Sequence, residues 1–176
     1  LIHAPRGGDR VATWHALEQL KAEGKARSIG VSNYGAQHIE ELLKGRRGDD
    51  VPAVNQVELH PWLQRADLSA YCAGKGIAMQ GYCPLARCRK LDDARLAAIA
   101  DACGKTPAQV CIRWALQRGV ITIPKSSNRD RIAENAAVFD FALSEAQMAA
   151  MRELDEDFHV SWDPPSDAID EGEGAA

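Results

Sequence analysis

The sequence predicts an α/β fold built on parallel strands, and three observations carry that expectation. Short apolar runs alternate with helix-like segments from the first residue onward, the pattern of strand–crossover–strand units. The 176 residues, 45% of them hydrophobic, suffice for one substantial core, and no Pro/Gly/Ser-rich linker divides them. Polar residues suited to a ligand stand where strands end: Ser32 and Asn33, Gln56, Tyr82 and Lys125. In both parallel-sheet architectures that edge is where ligands bind.

The elements follow in order. Leu1 to His3 reads as the end of a strand, and Val11 to Glu23 as a helix with Trp14, Leu17 and Leu20 at helical spacing, stopped by Gly24. Ser28 to Val31 is a compact strand and Ala36 to Leu43 a helix. Ala53 to Leu59 is the next strand, with a short helix from Leu68 to Ala73 behind it. Ile77 to Tyr82 is a strand broken by Pro84, and Asp92 to Cys103 a helix. Thr106 caps another helix with Pro107 at its first position, which runs to about Gln117 ahead of Gly119. Val120 to Ile123 is the last strand, and Ser144 caps a final helix to Leu154 with Glu145 and Gln147 in its first turn. A Trp/Pro loop, Phe158 to Pro165, and an acidic tail over 166–176, expected to be disordered, complete the chain. Residues 1–165 are expected to form one domain.

Composition narrows the function classes. A formal net charge of −4 provides no basic field for nucleic acid or an anionic membrane. No apolar stretch approaches the roughly 20 residues that span a bilayer, so a cytoplasmic protein is expected. The five cysteines lack CxxC spacing and the five histidines form no metal-binding cluster. They read as reduced thiols and scattered side chains, with no metal site. No glycine-rich fingerprint follows any strand, so a nucleotide, if one binds, is held in another way.

The run IPKSSNRDRIAEN, Ile123 to Asn135, is the strongest chemical signal. A strand leads through a lysine and two hydroxyls into a helix with an arginine on its first turns. Helix N–H groups, Lys125 and Arg131 all suit an anion, and Ser126 and Ser127 could cap the helix or donate to a ligand oxygen. The same residues equally suit a capped surface helix.

Taken together, LIHAP, RSIGVSN, VNQVELHP, GYCPL, TPAQVCIRWALQRGV, IPKSSNRDRIAEN and VFDFALS occur in the order and spacing of aldo-keto reductases. The resemblance runs from Leu1 to about Trp162. It implies a TIM (β/α)8 barrel, of which this chain would be about the last five β/α units plus the C-terminal helix and loop. It also implies NADPH-dependent reduction of aldehydes and ketones, with a small-molecule carbonyl as substrate. Ser32, Asn33 and Gln56 correspond to the side chains that hold the nicotinamide carboxamide, and Tyr82 to the aromatic stacked on the ring. Leu85 lies in the segment that resembles the pyrophosphate cover, where Cys83 and Cys88 replace the expected Ser and Gly. Lys125, Ser126 and Arg131 match the 2′-phosphate contacts of NADPH/NADP+, and Glu134 and Asn135 those near the adenine. His60 and Pro61 belong to a family motif with a structural role. Trp62 and Trp162 are candidate walls of a substrate pocket or ordinary packing.

Of the catalytic groups the family uses, only the histidine that orients the carbonyl is matched, by His3. The proton-donating tyrosine, with its lysine and aspartate, precedes LIHAP in the family, and Tyr34, Tyr71 and Tyr82 all lie in other motifs. An open sheet of about five strands would also expose two long edges. The chain is therefore expected to be the C-terminal part of a longer reductase, lacking about three of the eight units, inactive alone and prone to self-association, the full-length member being a monomer. The alternative is a non-catalytic NADPH-binding or interaction protein assembling from half-barrels. A sugar-phosphate enzyme would explain Lys125 and Arg131 but not the Ser32, Asn33, Gln56 and Tyr82 set.

Overall fold

The computed structural model describes residues 1–168. In chain order the elements are α1 (Arg10–Ala22), β1 (Val31–Ser32), α2 (Ala36–Gly45), β2 (Val54–Glu58), α3 (Ala66–Gly74) and β3 (Ala78–Tyr82), then α4 (Ala94–Cys103), α5 (Pro107–Gln117), β4 (Ile121–Thr122), α6 (Arg129–Ala136) and α7 (Glu145–Arg152). Short 3-10 turns cover Ala86–Cys88 and Pro164–Ser166. The pairing is parallel, as expected of the α/β class: β1 meets β2 with Val31 opposite Asn55 and Ser32 opposite Gln56, and β3 meets β4 with Gln80 opposite Ile121 and Gly81 opposite Thr122. The strand end expected at Leu1 to His3 is a single parallel bridge from Ile2 to Val31. Two compact units are distinguished by their internal contacts.

The first unit comprises Leu1–Gln56, Asp67–Ala78 and the described residues from Asp163 on. Its core is Trp14, Val31, Tyr34, Ile39, Leu42 and Cys72, none of them exposed at all. Asp9 starts α1 by accepting the Ala12 N–H at 2.8 Å. Of the helical stripe, Trp14 is fully buried whereas Leu20 is 38% exposed, so one large aromatic anchors the helix. Burying such a ring is worth more than any surface pair the helix makes. Gly30 is required where β1 approaches β2, because a Cβ there would lie 2.7 Å from the Val54 carbonyl oxygen. Beyond β1 the buried Asn55 side chain takes the place of a ladder: its Nδ2 donates to the Tyr34 carbonyl at 2.7 Å and its Oδ1 accepts the Tyr34 N–H at 3.3 Å. At the other end of the chain, Arg6 donates to both oxygens of Asp167, and Gln37 donates to the Pro165 and Asp167 carbonyls at 3.1 and 2.9 Å. Asp167, within the predicted tail, is thus bonded to Arg6 and Gln37; residues 169–176 of that tail lie outside the described residues.

The second unit comprises Val57–Ala66 and Met79–Trp162. Helix α5 lies deepest, with Val110, Cys111, Ile112, Trp114 and Ala115 all buried. Its start is set locally: Thr106 Oγ1 accepts the Gln109 N–H at 3.2 Å, Gln109 Oε1 accepts the Thr106 N–H at 3.0 Å, and Pro107 opens the first turn. Ser144 and Gln147 make the same reciprocal box at the start of α7. Trp62 is fully buried and donates its indole N–H to Asp93 at 3.1 Å, so it packs into the core.

Candidate cofactor-binding site

Four of the sequence-predicted residues meet in the first unit. Ser32 closes β1 and Asn33 follows with φ 61°, a left-handed conformation that asparagine tolerates better than most residues. The Ser32 hydroxyl and the Asn33 backbone N–H both donate to the Gln56 carbonyl, each at 2.8 Å. Asn33 Nδ2 donates to the His3 carbonyl at 3.0 Å and to Ser32 Oγ at 3.1 Å. Ser32 and Asn33 are buried, Gln56 is half-buried, and the His3 residue is exposed. The carbonyls of Gln56 and His3 thus fix the orientation of the Ser32 and Asn33 side chains.

In the second unit Tyr82 ends β3, half-buried. Burial pushes its phenol above the ordinary range, against a side-chain hydrogen bond with Ser161. The loop that follows is strained: Cys83, Ala86, Arg87 and Cys88 have φ of 51°, 47°, 51° and 62°. Each such residue costs on the order of 1 kcal/mol or more. Turn bonds from Ala86 N to Cys83 O (2.8 Å) and from Cys88 N to Leu85 O (2.7 Å) hold it.

Below this loop a cavity of about 240 Å³ is lined by Leu85, Lys125, Ser126, Arg131, Glu134 and Asn135, all six named by the sequence, together with Thr106, Leu91 and Cys88 among others. Among the described residues neither the Lys125 ammonium nor the Arg131 guanidinium has an ion-pair partner. Glu134, the one carboxylate in the wall, accepts the Thr106 hydroxyl at 2.6 Å. Gln109 Nε2 ties α6 in place by donating to the Glu134 and Ala137 carbonyls at 3.2 and 3.0 Å. One expectation is corrected here. Asn128, not Ser126 or Ser127, caps α6, its Oδ1 accepting the Arg131 N–H at 3.0 Å; Ser126 Oγ instead accepts the Asn128 N–H at 3.1 Å. The asparagine stands three residues before Arg131, the spacing at which a side-chain oxygen meets an N3 donor. Thr106 is one of the wall residues that sequence reasoning missed as such. It was legible as a helix cap, but the hydrogen bond to Glu134 spans 28 residues.

The other tyrosines are held neutral. Tyr34 is fully buried and its phenol is pushed up to about 12, chiefly by that burial. Tyr71 is raised by burial and by donating to the Glu40 carboxylate at 2.8 Å. His60 is fully buried against Glu58, ring Nε2 to Oε1 at 3.0 Å, and the same oxygen accepts the Val160 N–H at 2.7 Å. Burial acts to raise the Glu58 carboxyl, and these two hydrogen bonds, together with the electrostatic influence of His60 and His159, hold it below its ordinary value. His60 is thus a structural residue, in keeping with the role its motif implied.

The model of the Aldo/keto reductase family matches residues 1–156. An uncharacterized oxidoreductase of Schizosaccharomyces pombe is 47% identical over 164 residues, and the glyoxal reductase of Bacillus subtilis 46% identical over 164. Each alignment covers 93% of this chain and 59% of the relative, so the chain spans about three-fifths of the length of the curated relatives it matches. Among solved structures, the apo form of Gox0644 superposes with a TM-score of 0.85 at 42% identity, covering 90% of this chain and 58% of that one. An aldo-keto reductase of Bombyx mori in complex with NADP gives 0.84 at 32% identity, covering 91% and 58%. Such coverage agrees with the partial barrel that the sequence predicts.

Proposed function

Because this chain belongs to the aldo/keto reductase family, we propose that it carries the cofactor-holding part of an NADPH-dependent reductase of aldehydes and ketones. The observation that carries the reading is the pair of cations, Lys125 and Arg131, that stand without ionic partners among the described residues on one cavity wall beside the Ser126 hydroxyl. An uncompensated pair of this kind favours a phosphate dianion, which supports their assignment to the 2′-phosphate of NADP(H). Glu134 and Asn135 then flank the adenine, and Leu85 covers the pyrophosphate. Ser32 and Asn33, held in fixed orientation, and Gln56 present hydroxyl and amide groups to a carboxamide, Tyr82 offers its ring face for stacking, and His3 orients the substrate carbonyl. Bound NADPH supplies the hydride. The glyoxal reductase among the relatives supports a small aldehyde as substrate, and five free thiols support a cytoplasmic setting.

A reduction also needs a proton donor, and the chain's three tyrosines do not suit the task. All are pushed above the ordinary phenol range, the opposite of what a general acid at neutral pH requires. That supports cofactor binding without turnover for these 176 residues by themselves. Fluorescence titration tests the first part: Arg131→Ala should weaken NADPH by about 10-fold to 100-fold, the worth of a charge-assisted contact, and leave NADH nearly unchanged. Equal losses for the two cofactors would remove the assignment. Aldehyde-dependent NADPH oxidation by the 176-residue chain would remove the second part.

A further inference from the structure

Lys125, Arg131 and Glu134 share the wall of the cavity of about 240 Å³, and the opposite charges do not meet. Arg131 and Glu134 stand three residues apart on α6, the helical spacing at which such charges ordinarily pair. Yet neither Arg131 nor Lys125 has an ionic partner among the described residues. The Glu134 carboxylate is held from α5 instead: the Thr106 hydroxyl donates to its Oε1 at 2.6 Å, the length of a charge-assisted bond. That hydroxyl is itself fixed, because its oxygen accepts the Gln109 N–H at 3.2 Å and caps α5. Gln109 Nε2 fixes the backbone of α6, donating to the Glu134 and Ala137 carbonyls at 3.2 and 3.0 Å. Carboxylate and helix are thus both anchored to one capping box. A carboxylate released from it would pair with Arg131 and repel an incoming anion.

We propose that Thr106 is a positioning residue for cofactor selectivity: its hydroxyl holds Glu134 off Arg131 and so keeps the guanidinium available to the 2′-phosphate of NADPH. The identity of that anion rests on the functional reading above, whereas the restraint of Glu134 stands on the geometry alone. Thr106 acts through Glu134 and not on the cofactor itself. Without the hydroxyl the carboxylate turns toward Arg131, and the 2′-phosphate must displace an ion pair before it binds. NADH, with a hydroxyl in place of that phosphate, has no such pair to displace. Loss of the Thr106 hydroxyl therefore lowers the preference for NADPH over NADH, whereas damage to the fold lowers both affinities together.

The test measures NADPH and NADH dissociation constants by fluorescence for the 176-residue protein and its variants. Thr106→Val should lower the NADPH-over-NADH ratio by about 3-fold, the worth of an exposed ion pair. Thr106→Ser, which keeps the hydroxyl, should hold the ratio of the unmutated protein. Thr106→Gly removes the hydroxyl at a cap position that glycine fills at little cost and should shift the ratio as valine does, so misfolding of the valine variant does not protect the idea. Thr106→Val/Glu134→Gln should regain the original ratio, because an amide does not pair with Arg131 as a carboxylate does. Both valine variants lack the same α5 cap, so this recovery separates restraint of Glu134 from loss of the cap. An unchanged ratio in the variants without the hydroxyl overturns the proposal, and so does a double variant that keeps the lowered ratio. A second readout needs no cofactor: by nitrogen NMR, the Arg131 Nε–H should exchange with water more slowly in Thr106→Val than in the unmutated protein or the double variant. Equal exchange in all three overturns the restraint. If the unmutated protein binds neither cofactor, or both equally, the functional reading fails, while slowed Arg131 exchange in Thr106→Val still upholds the restraint of Glu134.

Discussion

The cluster at the end of β1 and the cavity beside α6 are both polar sites on strand-following segments, yet their polar groups are used in opposite ways. Ser32 and Asn33 spend their hydroxyl and amide on the Gln56 and His3 carbonyls and are buried. Lys125 and Arg131 spend nothing: both are exposed and without ionic partners among the described residues. The first arrangement fixes shape before any ligand arrives. The second leaves charge to be neutralised by one. Substitutions in the first region should therefore appear as lost stability, and in the second as lost binding.

The largest effect is expected at Asn33. Asn33→Ala removes two hydrogen bonds and leaves a residue with a Cβ in the left-handed region, so urea unfolding should show a loss of about 2–4 kcal/mol. A loss below 1 kcal/mol would mean the cluster is not held as described and would erase the contrast. Next comes Arg131→Ala, with the NADPH loss given above and a urea midpoint shifted by no more than about 0.5 kcal/mol. A large stability change there would break the comparison from the other side.

Thr106→Val sharpens the picture by asking what supports the cavity wall. It removes the α5 cap and the bond to Glu134, and thermal unfolding should register a loss of about 1–2 kcal/mol. The smallest effect at neutral pH belongs to Tyr34→Phe. The Tyr34 hydroxyl is buried without a hydrogen-bond partner among the described residues, so the variant should gain up to about 1 kcal/mol or stay level. Alkali then separates the two proteins. An unfolded tyrosine ionises near 10, whereas Tyr34 in the folded protein is pushed up to about 12. In that window the unfolded state releases its proton first. Wild-type stability, constant below pH 10 as far as this group is concerned, should fall as pH rises, and the phenylalanine variant should lack that part of the fall. Parallel urea midpoints from pH 9 to 12 would contradict the burial assigned to Tyr34.

Local chemistry and the parallel sense of the pairing were legible in the sequence; the extent of each strand was not. Helix α5 begins and ends where Thr106, Pro107 and Gly119 put it, because caps act within one turn. The strands expected at Ser28 to Val31 and Val120 to Ile123 pair only over Val31–Ser32 and Ile121–Thr122, since a strand's extent depends on what lies beside it. The cavity residues in the opening motif were legible for the same local reason, lying within Lys125 to Asn135. The cap of α6 was not, because SSN offers three competent residues in a row and only helix geometry chooses Asn128. Thr106 and Cys88 entered the wall through folds of the chain that no local pattern encodes.

The left-handed backbone at Cys88 has an evolutionary consequence. Glycine would sit there without steric penalty, so Cys88→Gly relaxes the loop by up to about 1 kcal/mol, less the entropy glycine adds to the unfolded chain. Under selection for stability alone, random substitution would drift toward the relaxed residue, and the cysteine would persist only where its sulfur repays the strain. A single codon in this loop thus sets thermodynamic ease against whatever the side chain contributes to the two cavities it lines.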